Sequence, residues 1–329
     1  MRIVSMFKKA ALCGFLGAAL SVAPAVTLAD TSYPERQVRV LVGFSPGGTT
    51  DVLARIVANE LSKSLDETFI VENRPGAGSN IASEQAARAK ADGYTLLMMA
   101  ITSTINQTLY KNIRFNIKED FTPVALVATV PNILVANKNT PYNTVEEFVA
   151  FAKADPDAVV YSSSGSGTSI HLSGELFKQE ADVEMLHIPY QGSGPAMTAL
   201  LGGDVHVMFD NMPSAAPHVA AGNLKALAVT TAERSETFPD VPTLQESGYP
   251  NINVTSWFGL VAPKGTPPEI IEKLHATVDE ILQKPEVLEQ LDGLGAIPSK
   301  LSTAEFGEFI DAETASWGEV INRGGISVD

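Results

Sequence analysis

Glycine and hydroxyl residues follow a short apolar segment near the start of the chain. The segment Val38 to Phe44 has the composition of a buried strand. The candidate ligand-binding residues in the loop after it are Ser45, Gly47, Gly48, Thr49, Thr50 and Asp51. The apolar residues that follow recur at helical spacing, so the loop leads into the first turn of a helix. Such a turn exposes N–H groups and a partial positive charge, and glycine lets a ligand approach the backbone closely.

This loop predicts an anion site that suits a small carboxylate. It lacks the lysine of a phosphate-binding loop and the spacing of a dinucleotide-binding fingerprint, so a nucleotide is not indicated. Thr49 or Thr50 is predicted to cap the helix with its hydroxyl, which leaves the other hydroxyl for a ligand. Pro-Gly-Gly before Thr-Thr-Asp is also how an ordinary strand-to-helix turn is capped, and this loop alone does not separate the two interpretations.

Similar loops recur after later apolar segments. Segments 94–99, 159–161, 185–190 and 205–209 are each followed by small polar residues and a helical pattern. The candidate ligand-binding residues in these loops are Thr102, Ser103, Ser164, Ser166, Gly167, Thr168, Gly192, Ser193, Gly194 and Asp210. They form two separate blocks, which predicts the two sides of one cleft. Asp210 has two open roles: binding a water or a ligand amine or hydroxyl, or capping the next helix.

Strand and helix patterns alternate along the chain. This alternation predicts an α/β fold of mostly parallel sheets flanked by helices, with ligands at the carboxyl ends of the strands. Two apolar runs meet at Pro131-Asn132, where the chain can cross between domains, and residues 254–263 have the pattern of a return crossing. After Pro268 the chain is predicted to be helical to its end. The predicted domains are residues 30–130 plus 256–329, and residues 131–255.

The first 29 residues have the layout of a secretory signal peptide. A basic segment precedes a short apolar run over residues 10–20, and small residues lead up to Ala29. We predict cleavage after Ala29 and export to the periplasm. An uncleaved anchor is disfavoured because the run is short and Pro24 interrupts it. The one cysteine, Cys13, would leave with this peptide, so no disulfide is expected in the mature protein.

The charge balance disfavours several classes of partner. Removal of residues 1–29 takes away Arg2, Lys8 and Lys9 and no acidic residue, so the formal charge of −15 becomes −18. A protein this acidic is a poor partner for nucleic acid and for anionic membrane surfaces. The histidines show no metal-ligand spacing. We therefore predict no nucleic-acid partner, no metal and no cofactor.

A serine hydrolase is the alternative from a different class. Ser166 and Ser193 each lie between two glycines after a predicted strand, and histidines and acidic residues are available as partners. Neither serine lies in the Gly-x-Ser-x-Gly elbow of such enzymes. Both loops are explained equally well as binding turns before helices. An exported esterase that uses Ser166 or Ser193 remains the alternative hypothesis.

Several motifs resemble one family of receptors. They are Ser45-Pro46-Gly47-Gly48-Thr49-Thr50-Asp51, Glu72-Asn73-Arg74-Pro75-Gly76-Ala77-Gly78, Pro189-Tyr190-Gln191-Gly192-Ser193-Gly194-Pro195, Phe209-Asp210-Asn211 and Trp257-Phe258-Gly259-Leu260-Val261-Ala262-Pro263. In this order they are similar to Bug-type receptors, the solute-binding components of tripartite tricarboxylate transporters. The resemblance implies a two-domain fold of the periplasmic-binding-protein type (type II) with two crossing strands as its hinge. It also implies a receptor, not an enzyme, that delivers a small carboxylate to the membrane subunits of the transporter. We expect it to be a monomer.

The same resemblance implies which loops hold the carboxylate. Residues 45–51 of one domain and 164–169 of the other would act as pincers, often with ordered water, and residues 192–195 and Asp210 would lie nearby. Ile101 lies where the relatives often have small residues, and it either narrows the pocket or packs beneath it. The ligand is therefore left open among tricarboxylates, dicarboxylates, amino acids and aromatic acids.

Overall fold

The computed structural model describes residues 32–324. The predicted signal peptide, its cleavage site after Ala29 and Cys13 lie outside these residues. Among the described helices, none is both long enough and apolar enough to cross a membrane. The described residues cover the predicted mature chain apart from residues 30, 31 and 325–329.

The first part of the chain alternates strands and helices as the sequence predicts. Its elements are β1 (Val38–Val42), α1 (Thr49–Leu65), β2 (Phe69–Asn73), α2 (Asn80–Ala87), β3 (Thr95–Ala100), α3 (Thr102–Leu109) and α4 (Ile117–Asp120). β1 pairs in parallel with β2 on one side and with β3 on the other. Because the carboxyl ends of parallel strands share one edge of a sheet, the loops after β1 and β3 are neighbours.

The middle of the chain repeats this alternation. Its elements are β4 (Phe121–Asn137), α5 (Val145–Ala154), β5 (Val160–Ser163), α6 (Ser169–Ala181), β6 (Leu186–Pro189), α7 (Ser193–Gly202), β7 (Val207–Asn211), α8 (Met212–Ala220) and β8 (Leu224–Val229). β5 pairs in parallel with β6 and β7. The loops that follow these three strands therefore also lie at one edge.

The long strand β4 belongs to both sheets. From Phe121 to Pro131 it pairs antiparallel with β9 (Thr255–Pro263). From Asn132 to Ala136 it pairs antiparallel with β7, and from Ile133 to Asn137 it pairs antiparallel with β8. We call the elements around β1, β3 and β9 the first lobe and those around β5, β7 and β8 the second lobe. The change of partners occurs at the predicted crossing, while domain boundaries at residues 130–131 and 255–256 remain a prediction.

The strand pairing is parallel only in the outer part of each sheet. β9 pairs antiparallel with both β3 and β4. A strand that crosses from the first lobe to the second and one that returns must run in opposite directions, which explains the antiparallel pairing of β4 with β9. The expected mostly parallel pairing therefore holds for β1, β2 and β3 and for β5, β6 and β7.

The last part of the chain is not helical throughout. It contains α9 (Pro268–Leu282), α10 (Pro285–Gly293), β10 (Ile297–Pro298) and α11 (Thr303–Gly324). The prediction of continuous helix is wrong at β10, which pairs antiparallel with Ala128 and Thr129 of β4. A strand of two residues has no periodic pattern by which the sequence could reveal it. α11 then packs against α3 and β4 in the first lobe.

The central strands carry apolar residues on both faces. Val40 and Val42 of β1 pack on one side with α1 and α9, whereas Leu41 packs on the other side. Ile133 and Leu134 of β4 divide between the two faces of the second sheet in the same way. Strands covered by helices on both faces read as continuous apolar runs, which is why the sequence located them. The covering helices leave the loops at the strand ends free to form a site.

Candidate ligand-binding site

Asp51 closes the loop between β1 and α1. Gly47 has a φ of 84°, and its N–H donates to Asp51 Oδ2 at 3.0 Å. Asn73 Nδ2 donates to the same carboxylate at 2.9 Å and Arg55 Nε at 3.0 Å. Burial by itself would raise the pKa of Asp51, but the hydrogen bonds from Arg55, Gly47 and Asn73 outweigh burial and lower the pKa. The carboxylate therefore stays ionised and holds the loop in shape.

Neither threonine caps α1, so that prediction is wrong. The N-cap residue is Gly48, and no side chain makes a capping hydrogen bond there. Thr49 Oγ1 donates instead to Ser214 Oγ of the second lobe at 3.4 Å.

Two stacked histidines support the loop between β5 and α6. The N–H of Gly167 donates to His171 Nδ1 at 3.2 Å, and the N–H of Gly165 donates to Ser163 Oγ at 3.1 Å. His187 Nε2 lies 2.7 Å from Ser163 Oγ, and the two imidazole rings stack with centroids 4.3 Å apart. Burial lowers the pKa of both rings, that of His187 to about 3 with a contribution from His171. His171 Nδ1 therefore accepts as part of a neutral ring.

A fully buried carboxylate lies at the end of β7. Asp210 accepts a hydrogen bond from Ser193 Oγ at 2.7 Å and a short one from Ser214 Oγ. Burial raises the pKa of Asp210 to about 6, although Ser214, Ser193 and the N–H of Asn211 oppose the rise. The N-cap residue of α8 is Asn211. Asp210 therefore orients serine hydroxyls on α7 and α8.

The two lobes touch through loops that contain glycine. The N–H of Ser45 donates to the carbonyl of Gln191 at 2.9 Å. A Cβ on Gly194 would lie 2.3 Å from the carbonyl oxygen of Pro46, and a Cβ on Gly192 would lie 2.8 Å from the nitrogen of Ser45. Only glycine permits these approaches, so the structure is a closed form in which the loops lie in contact.

A second contact joins the lobes through other loops. Tyr110 Oη donates to the carbonyl of Ser166 at 3.4 Å. A Cβ on Gly78 would lie 3.2 Å from the same carbonyl oxygen, and a Cβ on Gly167 would lie 2.5 Å from Leu109 Cδ2. The β5–α6 loop is thus held against the first lobe.

A cavity lies between the lobes at the starts of several helices. The predicted site residues that line it are Gly48, Thr49, Thr50, Thr102, Ser164, Thr168 and Ser193. Most of them are first-turn or N-cap residues of α1, α3, α6 and α7, whose first N–H groups have no acceptor within the helix. The cavity contains about 330 Å³ of atom-free space with its mouth included, of which about 20 Å³ can hold the centre of a water molecule. A larger ligand requires the loops to part.

The other predicted residues surround the cavity without lining it. They are Ser45, Gly47, Asp51, Ser103, Ser166, Gly167, Gly192, Gly194 and Asp210. Ser103 is buried, and its Oγ has no hydrogen-bond partner within residues 32–324. The contacts of the others, described above, set the conformation of the loops that enclose the cavity.

Sequence reasoning missed most of a buried polar network at the cavity. Asn211 and Ser256 line the cavity together with Ser169, which belongs to the predicted loop 164–169. Asn132 Oδ1 accepts hydrogen bonds from Asn211 Nδ2 at 2.7 Å and from Ser256 Oγ at 3.0 Å, and the hydroxyls of Ser169 and Ser256 are 2.6 Å apart. The available signal was that Asn132 and Ser256 interrupt apolar strands, because a buried polar side chain requires a partner.

Apolar residues complete the wall of the cavity. They are Phe44, Ala100, Ile101 and Phe258. Ile101 shows both roles left open for it: it lines the cavity, and it packs in the buried core of the first lobe, where it is 2% exposed. The wall is therefore apolar beside the first lobe's strand ends and polar at the helix starts.

The two serines of the esterase hypothesis have no histidine partner among the described residues. Ser193 Oγ donates to Asp210. The ring nitrogens of His171 and His187 contact the N–H of Gly167 and the hydroxyl of Ser163. Residues 32–324 also contain no group of three or more His, Cys, Asp or Glu side chains placed to hold a metal ion. The geometry favours hydrogen bonding to a ligand over nucleophilic attack.

Two α/β lobes that share crossing strands and close over a cavity define the class of periplasmic-binding-protein-like solute receptors, which confirms the predicted fold class. The family model described as "Tripartite tricarboxylate transporter family receptor" matches residues 53–326. The chain belongs to this family, and the resemblance to Bug-type receptors is confirmed.

Relatives match over almost the whole chain. Protein BugT of Bordetella pertussis is 38% identical over 324 residues, which are 98% of this chain and 99% of BugT. The structure of a protein from R. palustris with adipate is 38% identical with a TM-score of 0.87, covering 90% of this chain and 99% of that one. The structure of MatC from Rhodopseudomonas palustris with bound malate is 33% identical with a TM-score of 0.83, covering 88% and 100%.

Proposed function

We propose that this protein is an extracytoplasmic receptor that binds a small carboxylate in the cavity between its lobes. The observation that carries the proposal is the meeting of helix starts from both lobes at one cavity lined by hydroxyls. First-turn N–H groups and hydroxyls stabilise a carboxylate without a buried arginine. The adipate and malate in the two related structures support a carboxylate ligand.

The sixteen predicted residues divide into two roles in this proposal. The residues that line the cavity contact the ligand directly or through water, together with Ser169. The others hold the loops in place, as Asp51 does for Gly47 and as Asp210 does for Ser193. Substitution of a lining residue should therefore change ligand contacts, whereas substitution of Asp51 should change the loop.

Ligand binding is coupled to hinge closure in this proposal. The lobes rotate about β4 and β9, which connect them. The proposed boundaries between the lobes are at residues 130–131 and 255–256. A ligand that touches both lobes favours the closed form because it binds that form more tightly. The closed receptor then delivers the carboxylate to the membrane subunits of a tripartite tricarboxylate transporter.

The proposed setting is the periplasm. The signal-peptide pattern over residues 1–29 supports export, with cleavage after Ala29. We propose a monomer, because one chain encloses the whole cavity. We also propose that the protein has no enzyme activity.

A thermal-shift screen tests the receptor. The chain from Asp30 onward, stripped of any ligand, is melted with citrate, dicarboxylates of increasing length, acidic amino acids and aromatic acids. A ligand at about a hundred times its dissociation constant adds roughly 2.7 kcal/mol of stability and raises the melting temperature. A folded sample that responds to none of these acids contradicts the proposal. An esterase activity that Ser166→Ala or Ser193→Ala abolishes would favour the enzyme instead.

A further inference from the structure

Asp210 fixes the direction of a hydroxyl on the cavity wall. Ser193 lines the cavity, is 4% exposed, and donates to Asp210 Oδ1 at 2.7 Å. A serine hydroxyl carries one hydrogen, so the bond to Asp210 uses the only one that Ser193 has. The lone pairs of Ser193 Oγ are what remains for a ligand. Ser193 is therefore a hydrogen-bond acceptor in this cavity.

The hydroxyl of Thr49, on the first lobe's side of the cavity, is also committed. Ser214 Oγ donates to Asp210 Oδ2 in a short hydrogen bond, and Thr49 Oγ1 donates to Ser214 Oγ at 3.4 Å across the cleft. Thr49 lines the cavity as well. The hydroxyl hydrogens of Thr49 and Ser214 therefore both point along a chain of hydrogen bonds that ends at the carboxylate of Asp210. This part of the wall offers a ligand lone pairs and a nearby negative charge.

A ligand carboxylate is unfavourable against these oxygens, because acceptor would meet acceptor. The N–H groups at the start of α1 lie close by: a Cβ on Gly48 would be 3.3 Å from both the Cβ and the nitrogen of Ser193. The carboxylate-binding end of the cavity and the acceptor Ser193 are therefore separated by only a few bonds of a ligand.

We infer that the ligand carries a hydrogen-bond donor, a hydroxyl or an ammonium group, close to its carboxylate, and that this donor binds Ser193. The inference rests on the proposed receptor function and narrows its ligand class. A plain acid would leave the lone pairs of the buried Ser193 Oγ without a hydrogen-bond donor. Burial raises the pKa of Asp210 to about 6, so its carboxyl group is largely ionised at neutral pH and accepts from both serines.

Matched acids test the inference by isothermal titration calorimetry at about pH 8, above the pKa of Asp210. Each set has one carbon skeleton: propionate, lactate and alanine; succinate, malate and aspartate; glutarate, 2-hydroxyglutarate and glutamate. In the set that binds best, we expect the hydroxy or amino acid to bind roughly tenfold or more tightly than the plain acid. The comparison between those two acids identifies the donor.

A plain acid that binds as tightly as its substituted partners would overturn this inference and leave the receptor proposal intact. A folded protein that binds none of the acids, in this set and in the wider screen, would overturn both. Adipate in the related structure has no such donor, so it serves as a further plain acid.

Two serine variants separate the role of Ser193 from general damage to the cavity. Ser193→Ala should remove most of the preference for the substituted acid over the plain one, with the melting temperature recorded to confirm folding. Ser164→Ala is the matched control, because Ser164 lines the same cavity and is not a partner of Asp210. Ser164→Ala should lower the affinity for the substituted acid and for the plain acid by the same factor, so the ratio of the two affinities should not change. An unchanged ratio in Ser193→Ala would contradict the inference.

Discussion

At the residue scale, Gly48 is the cavity-lining glycine, and the closed cleft leaves little room for a side chain there. It precedes α1, lines the cavity and faces Ser193 of the second lobe. Its backbone is extended with a φ of −87°, so any residue could adopt its conformation. The constraint is therefore the space between the lobes, not the backbone.

Gly48→Val should weaken ligand binding and leave the fold intact. Its Cβ would lie 3.3 Å from Ser193, and the two further methyl groups would push the lobes apart. Overpacking of about 1–3 kcal/mol corresponds to a roughly fivefold to hundredfold loss of affinity, measured by calorimetry. Gly293→Val is the control, because a Cβ there meets nothing within 4 Å. Wild-type affinity in Gly48→Val would remove this loop from the site.

Single residues of the site were predictable where the signal was local. Glycine and hydroxyl residues after apolar runs located the loops, and seven of these residues line the cavity. Asn211 and Ser256 were missed because they bind Asn132, which lies 79 and 124 residues away in the sequence. The predicted cap at Thr49 or Thr50 was wrong because the partner of Thr49 is Ser214, which lies 165 residues away in the sequence.

At the element scale, the β5–α6 loop depends on neutral histidines. Gly167 donates to His171 Nδ1, and Ser163, which supports Gly165, contacts His187. Protonation would remove these acceptors and place two positive rings in a stack with centroids 4.3 Å apart. The loop should therefore weaken in acid.

Stability should fall as the pH drops from about 6.5 towards 3 because of His187. Its folded pKa of about 3 lies below the ordinary 6.5, so the unfolded chain binds more protons in this window. Its stabilisation is complete above pH 6.5 and is lost towards 3. Asp210, whose pKa is raised from 3.8 to about 6, acts in the opposite sense between those values. The measurement is therefore the difference in unfolding free energy between wild type and His187→Gln.

That difference should shrink as the pH falls through the window. His218→Gln, on α8, controls for the substitution itself. A difference that stays constant from pH 6.5 to 3 would mean that protonation of His187 does not destabilise the fold.

The crossing of β4 depends on the amide of Asn132. Asn132→Ala should lower the free energy of unfolding by about 1–3 kcal/mol, because Asn211 and Ser256 lose a buried acceptor. Urea denaturation measures the change. Asn143→Ala, an exposed site before α5, should change stability by no more than about 0.5 kcal/mol. Equal effects of the two substitutions would show that the network adds nothing.

Elements with a strong period were predicted well, and those set by distant partners were not. α1 forms where the helical spacing of its apolar residues predicts a helix, although it begins at Thr49 and not after a threonine cap. β10 and the antiparallel pairing of β4 with β9 escaped prediction, because both depend on contacts between distant parts of the chain. A local sequence pattern can locate a strand, but it does not determine which other strands pair with it.

At the scale of the whole molecule, hydrogen bonds between the lobes hold the cleft shut. They join Ser45 to Gln191, Tyr110 to Ser166 and Thr49 to Ser214. The lobes also share β4 and β9, so the hinge remains continuous when these contacts break. Opening therefore needs the loops to separate without unfolding either lobe.

Removal of ligand should expand the molecule. Small-angle X-ray scattering of the stripped mature protein should give a larger radius of gyration than the same sample saturated with a tight ligand, because the ligand favours the closed form. Gly48→Val with the same ligand concentration is the matched sample that should stay expanded. Identical radii for stripped and saturated wild type would count against hinge closure.

The small volume of the closed cavity sets a limit on the timing of release. Only about 20 Å³ can hold the centre of a water molecule, so an acid, which is larger than water, requires the loops to part. Escape must wait for the lobes to part, and the opening rate is then an upper bound on every dissociation rate. Ligands of different affinity would share this bound. A transporter that prises the loops apart would raise it, which would make unloading fast at the membrane and slow elsewhere.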